Sequence, residues 1–398
     1  MKFDPATSVQ DHQYFGEFGG VNPSIEDSST YTFLKADKME EIFEKSMEGC
    51  YLYSRHWNPT NKYLSNALAA LENTESAQVT ASGMGAISCT ILQICSSGDE
   101  IVSARTIYGG SYALFKNFLP RYNINTRFVK ITDIEAVKRA ITPKSKIIYC
   151  ETVSNPLLEV ADIASLSLIA QENNLKLVVD NTFTPMILTP ANLGADVVIH
   201  SLTKYINGSS DTVGGAICSN NEFITSLSDV NNGASMLLGP VMDSMRAASI
   251  LKNLRTLHIR IKQHSMNAQY LAEHLKADGI HIVYPGIKEH DGHTLLSNMM
   301  NTEYGYSGML LMDIESKKRA YQLMEMMQLE KIGYLAVSLG FYKTLFSAPG
   351  SSTSSEIPED EREKLGVSEG LVRMSVGLDN DIERTYRKIK ECFDRLGR

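Results

Sequence analysis

The chain has 398 residues, 43% of them apolar and 21% charged, with a formal net charge of −8. That length implies roughly two to three domains with ample core, which excludes a single small module. The acidic balance, with no run of five or six Lys or Arg residues, disfavours binding to a phosphate backbone.

Six cysteines without a C-x-x-C pair fit neither a zinc ribbon nor a small disulfide framework, and read as reduced thiols. The opening Met1-Lys2-Phe3-Asp4-Pro5 carries no apolar leader, and no stretch approaches the roughly 18 apolar residues of a membrane span. A cytoplasmic protein is expected, with no nucleic-acid or membrane partner.

Residues 1–58 are rich in Gly, Ser, Thr and aromatics, contain one predicted helix at 38–47, and read as an extended arm. Pro59 then takes the first position of a predicted helix whose Leu64, Leu68 and Leu71 recur at i, i+4, i+7. Short apolar runs at 101–104, 126–131, 146–151, 176–180 and 196–200 read as strands of a sheet covered on both faces. Between them one helix opens at Thr132-Asp133-Ile134-Glu135, a capping-box spacing, and another covers about 163–173. Such alternation predicts βαβ units and a mostly parallel sheet. After Asn231-Asn232-Gly233 one long helix is expected from about 240 to 275. Strands at 280–284 and 309–314 and helices at 316–327 and 381–396 then suggest a smaller α+β unit, interrupted by the low-complexity stretch 350–355.

In a doubly wound sheet, ligands lie outside the carboxyl ends of the strands. Two endings stand out: Asp180-Asn181-Thr182, and His200-Ser201-Leu202-Thr203-Lys204. An Asp and a Lys at one sheet edge would by themselves be an ion pair. Here Ser201 and Thr203 offer hydroxyl donors to a phosphate. Ser82-Gly83-Met84-Gly85 opens a helix with an Ile87, Ile91, Ile94 stripe, so its backbone N–H groups form an anion site, although the dinucleotide fingerprint G-x-G-x-x-G is absent. A phosphate cradle, a lysine and a strand-end aspartate together describe a site for pyridoxal 5′-phosphate (PLP). The lysine would hold the aldehyde and the aspartate would keep the ring nitrogen protonated.

Six strings carry a resemblance over nearly the whole chain: Tyr53-Ser54-Arg55-His56-Trp57-Asn58-Pro59-Thr60, Ser82-Gly83-Met84-Gly85-Ala86-Ile87, Tyr108-Gly109-Gly110, Asp180-Asn181-Thr182-Phe183, His200-Ser201-Leu202-Thr203-Lys204 and Arg373-Met374-Ser375-Val376-Gly377. In this order they resemble the Cys/Met metabolism family of PLP-dependent trans-sulfuration enzymes. The stretches from Leu238-Gly239-Pro240, from Tyr334 to Tyr342 and from Ala348 to Ser355 are most similar to its methionine-eliminating branch. The resemblance implies an α/β, type I PLP-dependent transferase (aspartate aminotransferase-like) fold: a mostly parallel seven-stranded sheet with a smaller α+β C-terminal domain. It divides the chain into an arm at 1–58, a PLP-binding domain at 59–255 and a C-terminal domain at 256–398.

By the same resemblance, Lys204 holds the cofactor and shuttles protons, Asp180 pairs with the pyridine nitrogen, and Tyr108 stacks on the ring. Gly83, Met84, Ser201 and Thr203 bind the phosphate from one subunit, and Tyr53 and Arg55 from its neighbour. Arg373, Asn155 and Ser338 clamp the substrate carboxylate. The implied reaction is α,γ-elimination of L-methionine, or of homocysteine, to a thiol, 2-oxobutanoate and ammonia in a homotetramer of catalytic dimers. Replacement of the γ-substituent of an acylated homoserine, and cystathionine or cysteine cleavage, are the alternatives.

Three positions depart from the family pattern. Ser209 stands where a histidine is common, Gly110 where some bacterial relatives carry a cysteine, and Lys343 where cystathionine-cleaving relatives carry a carboxylate. A cation at 343 would disfavour the second ammonium of cystathionine. Read without the motif, Arg373 lies on an edge strand, Asn155-Pro156 is a turn and His200 is structural. His290-Asp291-Gly292-His293 lacks the company of further ligands, so no metal is expected. Cys50, Cys89 and Cys95 are expected to be inert thiols.

Overall fold

Asn58 caps the helix Pro59–Glu72 by accepting the backbone N–H groups of Thr60 and Asn61, and Pro59 fills the first helical position, where no N–H is required. Leu64, Leu68 and Leu71 are buried along one side of that helix, as their spacing predicts. The computed structural model describes residues 3–14, 16–44, 51–352 and 368–397.

Seven strands build the first sheet: β1 (Ser76–Thr80), β2 (Glu100–Ala104), β3 (Asn125–Val129), β4 (Ser145–Glu151), β5 (Lys176–Asp180), β6 (Val197–Ser201) and β7 (Gly215–Ser219). Their order is β1-β7-β6-β5-β4-β2-β3, and β7 alone runs against its neighbours β1 and β6. The helices Pro59–Glu72 and Ser244–Leu254 cover one face, and Gly83–Ile94 and Ile163–Glu172 the other. Burial on both faces is why these strands read as continuous apolar runs. β1 and β7 escape the sequence reading because Ser-Ala-Gln-Val-Thr and Gly-Ala-Ile-Cys-Ser have no such run; pairing with each other makes them strands.

Three local expectations are corrected. The helix Ile134–Ala140 is capped by Asp133, whose carboxylate accepts the Ala136 N–H at 2.9 Å, so Thr132 forms no capping box with Glu135. The long helix expected over 240–275 is two, Ser244–Leu254 and Leu257–Ala277. Between them the Thr256 hydroxyl donates to the Asn253 carbonyl at 3.1 Å, diverting a group that a continuous helix would use. Among the described residues the arm holds two α-helices rather than one: Pro5–Asp11, capped by Asp4, and Ala36–Glu44. Residues 45–47 of the predicted arm helix lie outside the described residues.

The second sheet comprises β8 (His281–Val283), β9 (Met309–Asp313), β10 (Gly333–Leu335), β11 (Thr344–Ser347) and β12 (Leu371–Ser375), in the order β10-β11-β12-β9-β8. It packs against the helices Leu257–Ala277, Lys317–Leu329 and Ile382–Leu396. β12 is therefore central, and Arg373 is buried inside a sheet rather than solvated on its edge. Among the described residues no helix is long and apolar enough to cross a membrane.

Candidate active site

Parallel β4, β5 and β6 end together at Glu151, Asp180 and Ser201, and the chain leaving β6 reaches Lys204 three residues later. A cavity of about 350 Å³ opens there. The first sheet and its loops line it with Gly83, Met84, Tyr108, Asn155, Asp180, Ser201, Thr203 and Lys204, and the C-terminal part adds Ser338 and Arg373. Ten of the twelve residues singled out from sequence thus meet in one place.

Lys204 Nζ donates to Ser338 Oγ at 3.0 Å. Burial, helped by the charge of Arg373, holds its ammonium down to about 8, so part of the population is neutral at neutral pH. Arg373 Nη1 donates to Asn155 Oδ1 at 3.0 Å and Nη2 to the Ser338 carbonyl at 3.3 Å. Burial lowers its guanidinium to about 10, which still leaves it charged. Because those hydrogen bonds go to neutral oxygens, its positive charge is suited to an incoming carboxylate. Asp180 is buried and its Oδ1 accepts the Thr182 N–H at 2.9 Å. Burial pushes its carboxyl upward, against the pull of the Thr182 bonds.

At the other end of the cavity, Ser82 caps the helix Gly83–Ile94 through a 3.0 Å bond to the Gly85 N–H. A Cβ on Gly83 would lie 2.9 Å from Ser201 Cβ, so glycine is what lets this helix start come against the end of β6. The Ser201 N–H is fixed by Thr182 Oγ1 at 2.8 Å, and Thr203 Oγ1 accepts the Gly214 N–H at 3.1 Å. Gly110 likewise leaves room for a ring: a Cβ there would sit 2.5 Å from Tyr108 Cε1. A cradle that a single methyl would fill, at a helix N-terminus beside Ser201, suits a phosphate. Lys204 suits an aldehyde and Asp180 a protonated ring nitrogen, so the residues present fit PLP.

One buried group in this cavity was missed. Glu151 Oε1 accepts the Tyr108 N–H and Oε2 the Asn155 N–H, both at 2.7 Å. Burial, then the neighbouring Asp180, pushes its carboxyl up to about 8. The rule that exposed Asp180 would have found it, since Glu151 ends the predicted strand 146–151.

Tyr53 and Arg55 do not line the cavity. Arg55 Nη1 donates to the Met236 carbonyl at 2.8 Å, with its guanidinium 5.5 Å from the Tyr53 ring centroid. Lys343 also lies elsewhere: its Nζ donates to the Lys331 carbonyl at 2.8 Å in a different groove. Lys343 therefore does not face a substrate held in this chain's own cavity. Ser209 accepts a 3.2 Å bond from Asn253 and is likewise not part of the lining. His200 bonds Glu72 at 2.6 Å, fully buried, as a structural residue does. Cys89 and Cys95 are buried, with thiols pushed up to about 12; Cys50 lies outside the described residues.

A lysine that can shed its proton and a buried guanidinium, both held at Ser338, with a phosphate-sized cradle at the other end of the cavity, suit amino-acid chemistry on PLP. The sheet order and the cavity at its carboxyl edge define the class: type I PLP-dependent enzymes. The comparisons narrow this. The profile of the Cys/Met metabolism PLP-dependent enzyme family matches residues 6–391, and the chain belongs to that family. A methionine gamma-lyase of Arabidopsis thaliana is 45% identical over 99% of this chain and 91% of the relative. An L-methionine gamma-lyase of Fusobacterium nucleatum subsp. polymorphum is 36% identical over 94% of this chain and 95% of the relative. A Campylobacter jejuni structure described as an O-acetylhomoserine (thiol)-lyase, carrying a pyridoxyl-lysine phosphate, superposes with a TM-score of 0.91 at 28% identity, covering 98% of this chain and 100% of its own.

Proposed function

We propose that the protein catalyses α,γ-elimination of L-methionine, and of homocysteine, to a thiol, 2-oxobutanoate and ammonia. The observation that carries this reading is the run of contacts from Lys204 through Ser338 and Arg373 to Asn155 across the cavity. It supports an α-amino acid held by its carboxylate beside a basic lysine. The rest of the lining includes Val153, Phe183, Val213, Val337 and Leu339, which suits a thioether side chain, and the 45% identical Arabidopsis relative is a methionine gamma-lyase.

Bound PLP would supply an electron sink for the electrons left at Cα when its proton departs. Lys204 would hold the cofactor in the resting enzyme, and its lowered proton affinity suits it to take the Cα proton once released. Gly83, Met84, Ser201 and Thr203 would hold the phosphate, Asp180 the ring nitrogen, and Tyr108 the ring face. Arg373 and Asn155 would orient the substrate carboxylate, with Ser338 keeping Lys204 in line. Tyr53 and Arg55 would complete the phosphate site of a neighbouring subunit, making a dimer the catalytic unit within a cytoplasmic homotetramer. The domain division would then run 1–58, 59–255 and 256–398.

A second reading, replacement of the γ-substituent of an acylated homoserine, draws support from the Campylobacter jejuni neighbour. Product analysis separates the two. Equal release of 2-oxobutanoate and methanethiol from methionine alone supports elimination, whereas turnover that requires an acylhomoserine and a thiol overturns it.

A further inference from the structure

Glu151 stands out among the cavity's acidic groups because both of its oxygens are committed to backbone. Oε1 accepts from Tyr108 and Oε2 from Asn155, each at 2.7 Å. These amides belong to two separate loops. The Tyr108 loop follows β2 and leads into the helix Gly109–Ala113, and the Asn155 loop follows β4. Asn155 in turn receives Arg373 Nη1 at 3.0 Å.

We propose that Glu151 is a positioning residue that ties the ring-facing Tyr108 to the substrate-carboxylate pair Asn155–Arg373. This rests on the proposed amino-acid site. A change at either loop is then passed through one carboxylate to the other, so the ring face and the substrate anchor are set together.

Core packing alone does not account for an acid here. Glu151 lies directly opposite Asp180 in the β4–β5 register, and both carboxyls are buried. Burying two acids side by side is costly, as the upward push on the Glu151 carboxyl records. A glutamine of the same shape would avoid that cost. It would also turn an NH₂ toward one of the two N–H groups and lose that acceptor. A carboxyl group keeps an acceptor on each of its oxygens for two inward-pointing amides, where an amide side chain has only one oxygen, and the buried Arg373 charge partly offsets the repulsion from Asp180.

Hydrogen–deuterium exchange on the cofactor-free wild-type protein, read in peptides covering Tyr108 and Asn155, tests the clamp without any turnover. Both amides should exchange slowly, and Glu151→Gln should speed one of them by roughly tenfold or more. In the cofactor-loaded enzyme, Glu151→Gln should raise KM for methionine roughly 10- to 100-fold, the size of leaving one buried N–H donor without its acceptor. Adding Asn155→Ala to Glu151→Gln should raise KM no further than the larger single change, because the two act in series. Fast exchange of both amides in the wild-type protein overturns the proposal even if no variant folds. So does an additive double variant, or a Glu151→Gln enzyme with wild-type exchange and KM. Should wild-type enzyme release nothing from methionine, the proposed function fails, while the exchange result still decides the role of Glu151.

Discussion

Lys204 and Ser338 meet between the two sheets, with the lysine Nζ donating to the serine Oγ at 3.0 Å. Lys204 lies just past β6 of the large sheet, and Ser338 lies between β10 and β11 of the small one. Ser338 holds this position at φ 115°, a left-handed conformation that non-glycine residues rarely adopt. Such strain costs about 1–3 kcal/mol and persists where surrounding structure imposes it.

The strain and the contact can be separated. Ser338→Gly should relieve the backbone and be more thermally stable than Ser338→Ala, while both lose the hydroxyl facing Lys204. Each should lower kcat/KM by roughly tenfold or more, the value of a hydrogen bond to a charged group. Thermal melts beside steady-state kinetics check this; equal melting temperatures for the two variants would remove the strain argument.

The depressed Lys204 ammonium makes a stability prediction for the cofactor-free protein. Its folded value is about 8 against an ordinary 10.5, because burial strips its water. Between those values the unfolded chain binds the extra proton, so folding is penalised below pH 8 and the penalty fades as pH rises toward 10.5. Lys204→Met lacks the titrating group. It should exceed the wild-type chain in stability by up to roughly 3 kcal/mol near pH 7, with the gap closing as the pH approaches 10.5. Urea unfolding at several pH values measures the gap, and a pH-independent difference would count against a desolvated lysine.

Arg373 donates through two nitrogens to Asn155 and to the Ser338 carbonyl, a forked geometry that an ammonium cannot copy. Arg373→Lys should therefore raise KM for methionine by roughly 10- to 100-fold while leaving cofactor absorbance intact. A KM close to wild type would mean that the substrate carboxylate binds elsewhere.

Much of this site was legible because its signals are local. Asp180 and Lys204 follow apolar strands directly, and the Ser82-Gly83-Met84-Gly85 turn precedes a buried stripe, so a strand-end rule and a helix period suffice. What was not legible depends on tertiary partners. β1 and β7 are strands because they pair, and Arg373 is buried because β12 is central; the strand-end rule reaches Glu151, but the two amides aimed at it are set by the fold. Thr256 splits a helix whose pattern runs on unbroken.

Lys343 illustrates the opposite error, in which a sequence position suggested a contact that the fold does not make. Its Nζ is spent on the Lys331 carbonyl in another groove. Lys343→Ala should leave KM for methionine, and any turnover of cystathionine, within roughly twofold of wild type, since exposed polar contacts contribute little. A large gain in cystathionine cleavage would restore the electrostatic role.

The most direct test asks which nitrogen carries the cofactor. The loaded enzyme would be reduced with borohydride, digested and read by peptide mass spectrometry, beside Lys204→Ala treated identically. The expected result is a pyridoxyl group on Lys204 and loss of both label and visible absorbance in the variant. A label on another lysine, or undiminished colour in Lys204→Ala, would contradict it.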